Sequence, residues 1–89
     1  MHANVAHTKV DMSRLDEAVG GIDGVKQRLM SLRGFKAAYW LQPIEGHGMM
    51  ISLWDDEQAA REATPPVGFS PAPGVTVERV ETREVIGQA

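Results

Sequence analysis

Few side chains in this chain can do covalent or proton-transfer chemistry. There are three histidines, one tyrosine, two tryptophans and no cysteine, so disulfides, thiolate nucleophiles and thiolate metal sites are excluded. His7 and Tyr39 both fall in strand-like stretches, and an imidazole or a phenol there could take or give a proton. They are the candidate catalytic residues. His47 stands between Gly46 and Gly48, where an exposed turn residue is expected, and His2 is close to the first residue. No two histidines have metal-ligand spacing and no soft ligand completes a zinc or copper site, so no metal is expected. Asp55, Asp56 and Glu57 are adjacent carboxylates at the start of a helical pattern, a position that explains them as caps and macrodipole partners. Ser13, Ser31, Ser52 and Ser70 have no base close in sequence, and the glycines at 20, 21, 24, 46 and 48 match no phosphate-binding fingerprint. Trp40, Met50, Trp54 and Phe69 are the large apolar groups that could line a ligand pocket between a sheet and its helices.

These residues must be positioned by six elements. Residues 4–11 carry Val5, Thr8 and Val10 at strand-like spacing. From Ser13, a good N-cap, Leu15, Ala18, Ile22, Val25, Leu29 and Leu32 recur every three or four residues, which lays one apolar stripe along a helix over 13–33. Gly20, Gly21 and Gly24 each cost about 1 kcal/mol there relative to alanine. The helix is therefore soft in its middle, with a break near Gly20 as the alternative, and Gly34 is placed to end it. Residues 35–44 and 49–54 are two strands joined by the turn at 45–48, close enough for an antiparallel hairpin. Asp55 or Asp56 caps a helix over 57–63, with Gln58 three residues after Asp55 as a capping-box variant. The prolines of 64–74 stiffen a connector that could form the lip of a pocket around Phe69, and residues 75–86 form a last strand whose charged middle suits a sheet edge. Strand, helix, strand, strand, helix, strand is the βαββαβ, ferredoxin-like arrangement of an α+β domain, with two helices on one face of a four-stranded antiparallel sheet.

The 89 residues make one domain, 1–89. At this size only about 60–65% of the surface is buried on folding, so association helps stability. Nine basic and twelve acidic residues, interspersed to a net charge of −3, argue against nucleic acid as a partner. No stretch reaches the roughly 20 apolar residues of a membrane span, and the first residues lack the pattern of a signal peptide. A cytoplasmic protein with no membrane partner is expected.

The hairpin asks for a protein partner. Alternation puts Phe35, Ala37, Tyr39 and Leu41 on one side of its first strand and Lys36, Ala38, Trp40, Gln42 and Ile44 on the other, while its second strand divides into Met49, Ile51 and Leu53 against Met50, Ser52 and Trp54. Which sets share a face depends on the turn register. Either pairing leaves large apolar groups on both faces, and two helices cover only one. A twofold, sheet-to-sheet homodimer would cover the other.

The order of elements, Gly34-Phe35 opening the second strand, the run Met50-Ile51-Ser52-Leu53, and Trp54-Asp55-Asp56-Glu57-Gln58-Ala59 entering the second helix together resemble the antibiotic biosynthesis monooxygenase-like group of the dimeric α/β-barrel superfamily. The resemblance covers most of the chain in element order and about 30 residues in motif. It implies a homodimeric α/β barrel. Members include cofactor-free monooxygenases of aromatic polyketides and quinols, haem-degrading enzymes, and small proteins without an assigned role. The haem-degrading branch is linked to an Asn on the first strand, a Trp within the second helix and a His soon after it. Here 57–63 has no Trp and 64–74 no His, and Asn4 lies early, so haem degradation is disfavoured. Two functions are therefore carried forward, with no cofactor expected for either. One is a small binding protein for an apolar or aromatic ligand. The alternative is a cofactor-independent monooxygenase of a phenolic, quinol or polyketide-like substrate, with His7 or Tyr39 assisting deprotonation.

Overall fold

The computed structural model describes residues 1–89. Strand β1 (His2–Val10) leads through a short 3-10 turn (Met12–Arg14) into helices α1 (Leu15–Gly20) and α2 (Ile22–Met30), followed by β2 (Phe35–Ile44), β3 (His47–Trp54), α3 (Glu57–Glu62) and β4 (Val75–Glu84). The four strands are antiparallel in the order β2-β3-β1-β4. β2 and β4 are the edges, flanking a central β3-β1 pair, so the charged β4 does lie at an edge. The helices cover one face, as a ferredoxin-like α+β fold requires.

Local chemistry departs from the sequence pattern in four places. The long helix is interrupted at Gly21, which nevertheless keeps α-region angles (φ −78°, ψ −11°), and it ends at Met30 rather than Arg33. Ser13 does not cap it: Asp11 caps the preceding 3-10 turn, the Ser13 N–H and hydroxyl both donating to Asp11 Oδ1 at 3.0 and 2.6 Å, and α1 itself starts after Arg14 with no side-chain cap. Asp56 rather than Asp55 caps α3, accepting from the Ala59 N–H at 2.8 Å, so Gln58 is out of capping-box register and donates to Glu62 instead. The hairpin turn is Glu45-Gly46 alone, and His47 is the first residue of β3. Both turn residues have positive φ, 51° and 80°, which is the two-residue type I′ geometry that matches strand twist.

The pairing register assigns the faces. Toward the helices point the rows Ala38-Ser52-Asn4-Thr82 and Trp40-Met50-Ala6-Val80, with Trp54, Thr8 and Val10 in the same layer. Away from them point Ala37-Leu53-Ala3-Arg83, Tyr39-Ile51-Val5-Glu81 and Leu41-Met49-His7-Arg79. Under α3 the core is dense: Trp54 is fully enclosed, packed with Ala59, Ala60 and Leu29, and Phe35 meets its ring edge-on at 5.5 Å between centroids. Small alanines let α3 sit close to the sheet, and the buried polar groups beneath it are paired. Trp54 Nε1 donates to Ser52 Oγ at 2.9 Å, Asn4 Nδ2 to the Ala60 carbonyl at 2.7 Å, and Thr82 Oγ1 to Asn4 Oδ1 at 2.8 Å. Burial without such partners would cost about 1–3 kcal/mol per group.

Candidate functional site

The other half of the helix layer is not close-packed. Leu15, Ala18, Ile22 and Val25, which form the upper part of the apolar stripe, face a cavity of about 380 Å³. Its sheet wall is Thr8, Val10, Trp40, Gly48 and Met50, and Pro71 and Ala72 of the loop after α3 close another side. That volume lies toward the small end of small-molecule sites, about 300–1,000 Å³. Two glycines lie where the chain passes closest at this site. On the sheet, a Cβ at Gly48 would collide with Thr8 Oγ1 and stand 2.9 Å from Val10 Cγ2; on the helix, a Cβ at Gly21 would stand 2.6 Å from that of Ala72. The glycine inside the helix thus has a packing reason, the close passage of the 64–74 loop over the α1/α2 junction. Val19, Leu41 and Gln42 are lining residues that are also solvent-exposed, which puts the mouth at the β2 edge.

Of the pocket residues expected from sequence, Trp40 and Met50 line the cavity. Trp54 is sealed beneath α3, outside the wall. Phe69 is also outside it, partly exposed under the Arg28 guanidinium, whose carbon lies 5.8 Å from the ring centroid. The stiff loop does border the cavity, through Pro71 and Ala72 instead. Thr8, Ala18, Gly48 and Gln42 were not singled out by sequence. Their signal was weak, since small residues within an apolar stripe or strand mark a void only once the opposing wall is known.

His7 and Tyr39 point to the opposite face of the sheet from the cavity, and β3 separates the strands that carry them. They do not converge. His7 belongs to a polar cluster on the open face, with its Nε2 3.2 Å from Glu81 Oε2 and 3.1 Å from Arg79. That nitrogen cannot serve both neighbours at once: protonated it donates to Glu81, deprotonated it accepts from Arg79. Hydrogen bonds from Arg83 first, and His7 second, hold the Glu81 carboxyl below its usual range. The His47 ring lies against His7 at 5.5 Å between centroids. Asn4, whose type and strand raised the haem-degrading comparison, has both ends of its amide occupied by Ala60 and Thr82. No group of three or more His, Asp or Glu is arranged to hold a metal ion, and no helix is long and apolar enough to cross a membrane.

Sheet order, the one-sided helix layer and the space between them define a ferredoxin-like α+β fold with a cavity between sheet and helices. Among solved structures it is similar to MhuD, a heme-degrader from Mycobacterium tuberculosis determined with two hemes bound in its active site. The two share a TM-score of 0.70 over 100% of this chain and 99% of that one, at 15% sequence identity. At that identity the likeness is one of fold. No protein-family model matches the sequence, and no curated protein matches it either.

Proposed function

We propose that this chain is a homodimeric α/β-barrel protein that binds a small apolar or aromatic ligand between its sheet and α1/α2. The observation that carries the reading is the cavity itself, walled mainly by aliphatic groups with Trp40 and Met50 and by no charged side chain. Pairing of two copies through the open sheet faces is supported by the apolar centre of that face, Val5, Ile51, Leu53 and Tyr39, which the chain's own helices leave uncovered.

The hemes of MhuD make haem the first group to test against this wall. It offers no imidazole, thiolate or phenolate for iron, only the thioether of Met50, and no Lys or Arg for the haem carboxylates. The residues do not fit haem. A cofactor-independent monooxygenase would need a base beside its substrate. The cavity's polar side-chain groups are the Thr8 hydroxyl, the Gln42 amide and the Trp40 indole N–H, none of which serves as a base, so binding is favoured over turnover.

The test is a fluorescence titration with N-phenyl-1-naphthylamine, a neutral probe. One probe per chain with quenching of Trp40, the quenching lost in Trp40→Phe, is the expected result; no binding, or equal binding by the cavity-filling Ala18→Trp, sinks the reading. Oxygen uptake with hydroquinones and anthrone-type compounds should not exceed buffer. Turnover that falls in His7→Ala or Tyr39→Phe would favour the monooxygenase instead.

A further inference from the structure

The helix-facing layer of the sheet holds three polar residues that are more than nine-tenths buried, Asn4, Thr8 and Ser52. Two of them are consumed by the fold: Asn4 bonds to Ala60 and Thr82, and Ser52 accepts from Trp54. Thr8 differs. Its side chain takes part in none of the hydrogen bonds that join this layer, yet it is not a sealed orphan, since the enclosed side-chain polar atom without a partner is His2 Nδ1. Thr8 instead borders the cavity, its hydroxyl lying in the space that a side chain at Gly48, another wall residue, would fill. A buried hydroxyl left without a partner is costly, and one facing an apolar space has an occupant of that space as its natural partner.

The charge of the wall narrows the occupant further. None of its residues is Lys, Arg, Asp, Glu or His. An ionised ligand would lose its hydration and find no counter-charge, which is heavily unfavourable, whereas a neutral molecule loses little. A hydroxyl can donate or accept, so either a ligand hydroxyl or a carbonyl oxygen satisfies it.

We infer that the cavity selects neutral, apolar molecules bearing a single hydroxyl or carbonyl oxygen, and that Thr8 is the residue that reads this oxygen. The inference rests on the binding role proposed above. Specificity then comes from the one deeply buried hydroxyl of the wall, Gln42 lying out at the exposed mouth, an arrangement that discriminates against the hydrocarbon lacking the oxygen and against the acid carrying a charge.

The experiment is displacement of N-phenyl-1-naphthylamine at pH 7 by three molecules of matched shape, naphthalene, 2-naphthol and 2-naphthoate, from the parent and from Thr8→Val and Thr8→Ser. In the parent, 2-naphthol should compete about three- to tenfold better than naphthalene, the worth of one hydrogen bond, and more than about tenfold better than the anion. Thr8→Val is nearly isosteric and should erase the preference for naphthol over naphthalene while still binding the probe; Thr8→Ser should keep it. Naphthoate competing as well as naphthol overturns the selection for neutral ligands. A naphthol preference that survives in Thr8→Val overturns the role of Thr8. Failure of the parent to bind the probe at all removes the binding role itself, an outcome distinct from both.

Discussion

Substituting Ala18 by leucine should make the protein more stable and a poorer binder at the same time. Ala18 is buried on the cavity side of α1, between Leu15 and Ile22 of the same stripe. In a close-packed core, three extra carbons would force neighbours off their rotamers and destabilise by about 1–3 kcal/mol. Here they enter about 380 Å³ of apolar space. Burial at ~0.8 kcal/mol per carbon, less about 0.5–1 kcal/mol for fixing the leucine rotamer, leaves a gain of roughly 1.5 kcal/mol. Alanine and leucine are both strong helix formers, so propensity changes little. For a domain of this size the melting temperature should rise by about 6–12 °C. Urea unfolding and thermal melts monitored by circular dichroism read the first effect, and titration with N-phenyl-1-naphthylamine reads the second, expected to weaken about tenfold or more. A variant destabilised by about 1 kcal/mol with an unchanged denaturant slope and undiminished probe affinity would refute the reasoning, because residue 18 would then be packed and the ligand elsewhere.

Asn4→Ala should destabilise by about 2–3 kcal/mol, since it removes both links beneath α3 and leaves the Thr82 hydroxyl without its acceptor; urea midpoints check this, and a change under about 0.5 kcal/mol would show that the links are dispensable. Probe binding should survive that substitution, because Asn4 is outside the cavity wall. The Ala59 N–H, and Arg33 after it, hold Asp56 below the usual aspartate range. A depressed folded value means that the unfolded chain binds more protons, so this stabilisation is complete above the unfolded value and disappears as pH falls through the folded one. The advantage of the parent over Asp56→Asn should therefore be present above about pH 5 and absent by about pH 2; a pH-independent difference in urea midpoint would contradict it. Ile51→Lys puts a charge at the centre of the open face and should reduce the mass seen by light scattering from a dimer to the 9.7 kDa chain. A parent that already runs as a monomer at micromolar concentration would dispose of the dimer.

The order of elements was legible because each is marked locally: the stripe from Leu15 to Leu32, the hairpin around Gly46, the prolines after Thr64. Register and caps were not. Asp11 outcompetes Ser13 because the chain makes a 3-10 turn before α1, a tertiary effect of β1 ending at Val10. His47 belongs to a strand because Glu45 accepts a positive φ that few residues adopt, shortening the turn to two residues. For the site, Trp40 and Met50 could be named from size alone. Trp54, as large as Trp40, differs in falling under the small residues Ala59 and Ala60, a fact about packing between sheet and helix that no spacing rule contains. Thr8 was invisible for the opposite reason: as a strand threonine it looks ordinary until its neighbours' hydrogen bonds are all assigned.

The position of β1 also bears on how the molecule forms. It is first in the chain yet central in the sheet, and its partners come late, with His2 opposite both Trp54 and Glu84. The β2-β3 hairpin can close on itself within microseconds, but β1 must wait for strands far along the chain, against a larger loop-closure entropy. Insertion of β1 between β3 and β4 is then the slow event of folding, and until it occurs the cavity lacks Thr8 and Val10 from its sheet wall and the open face lacks Val5 at its centre.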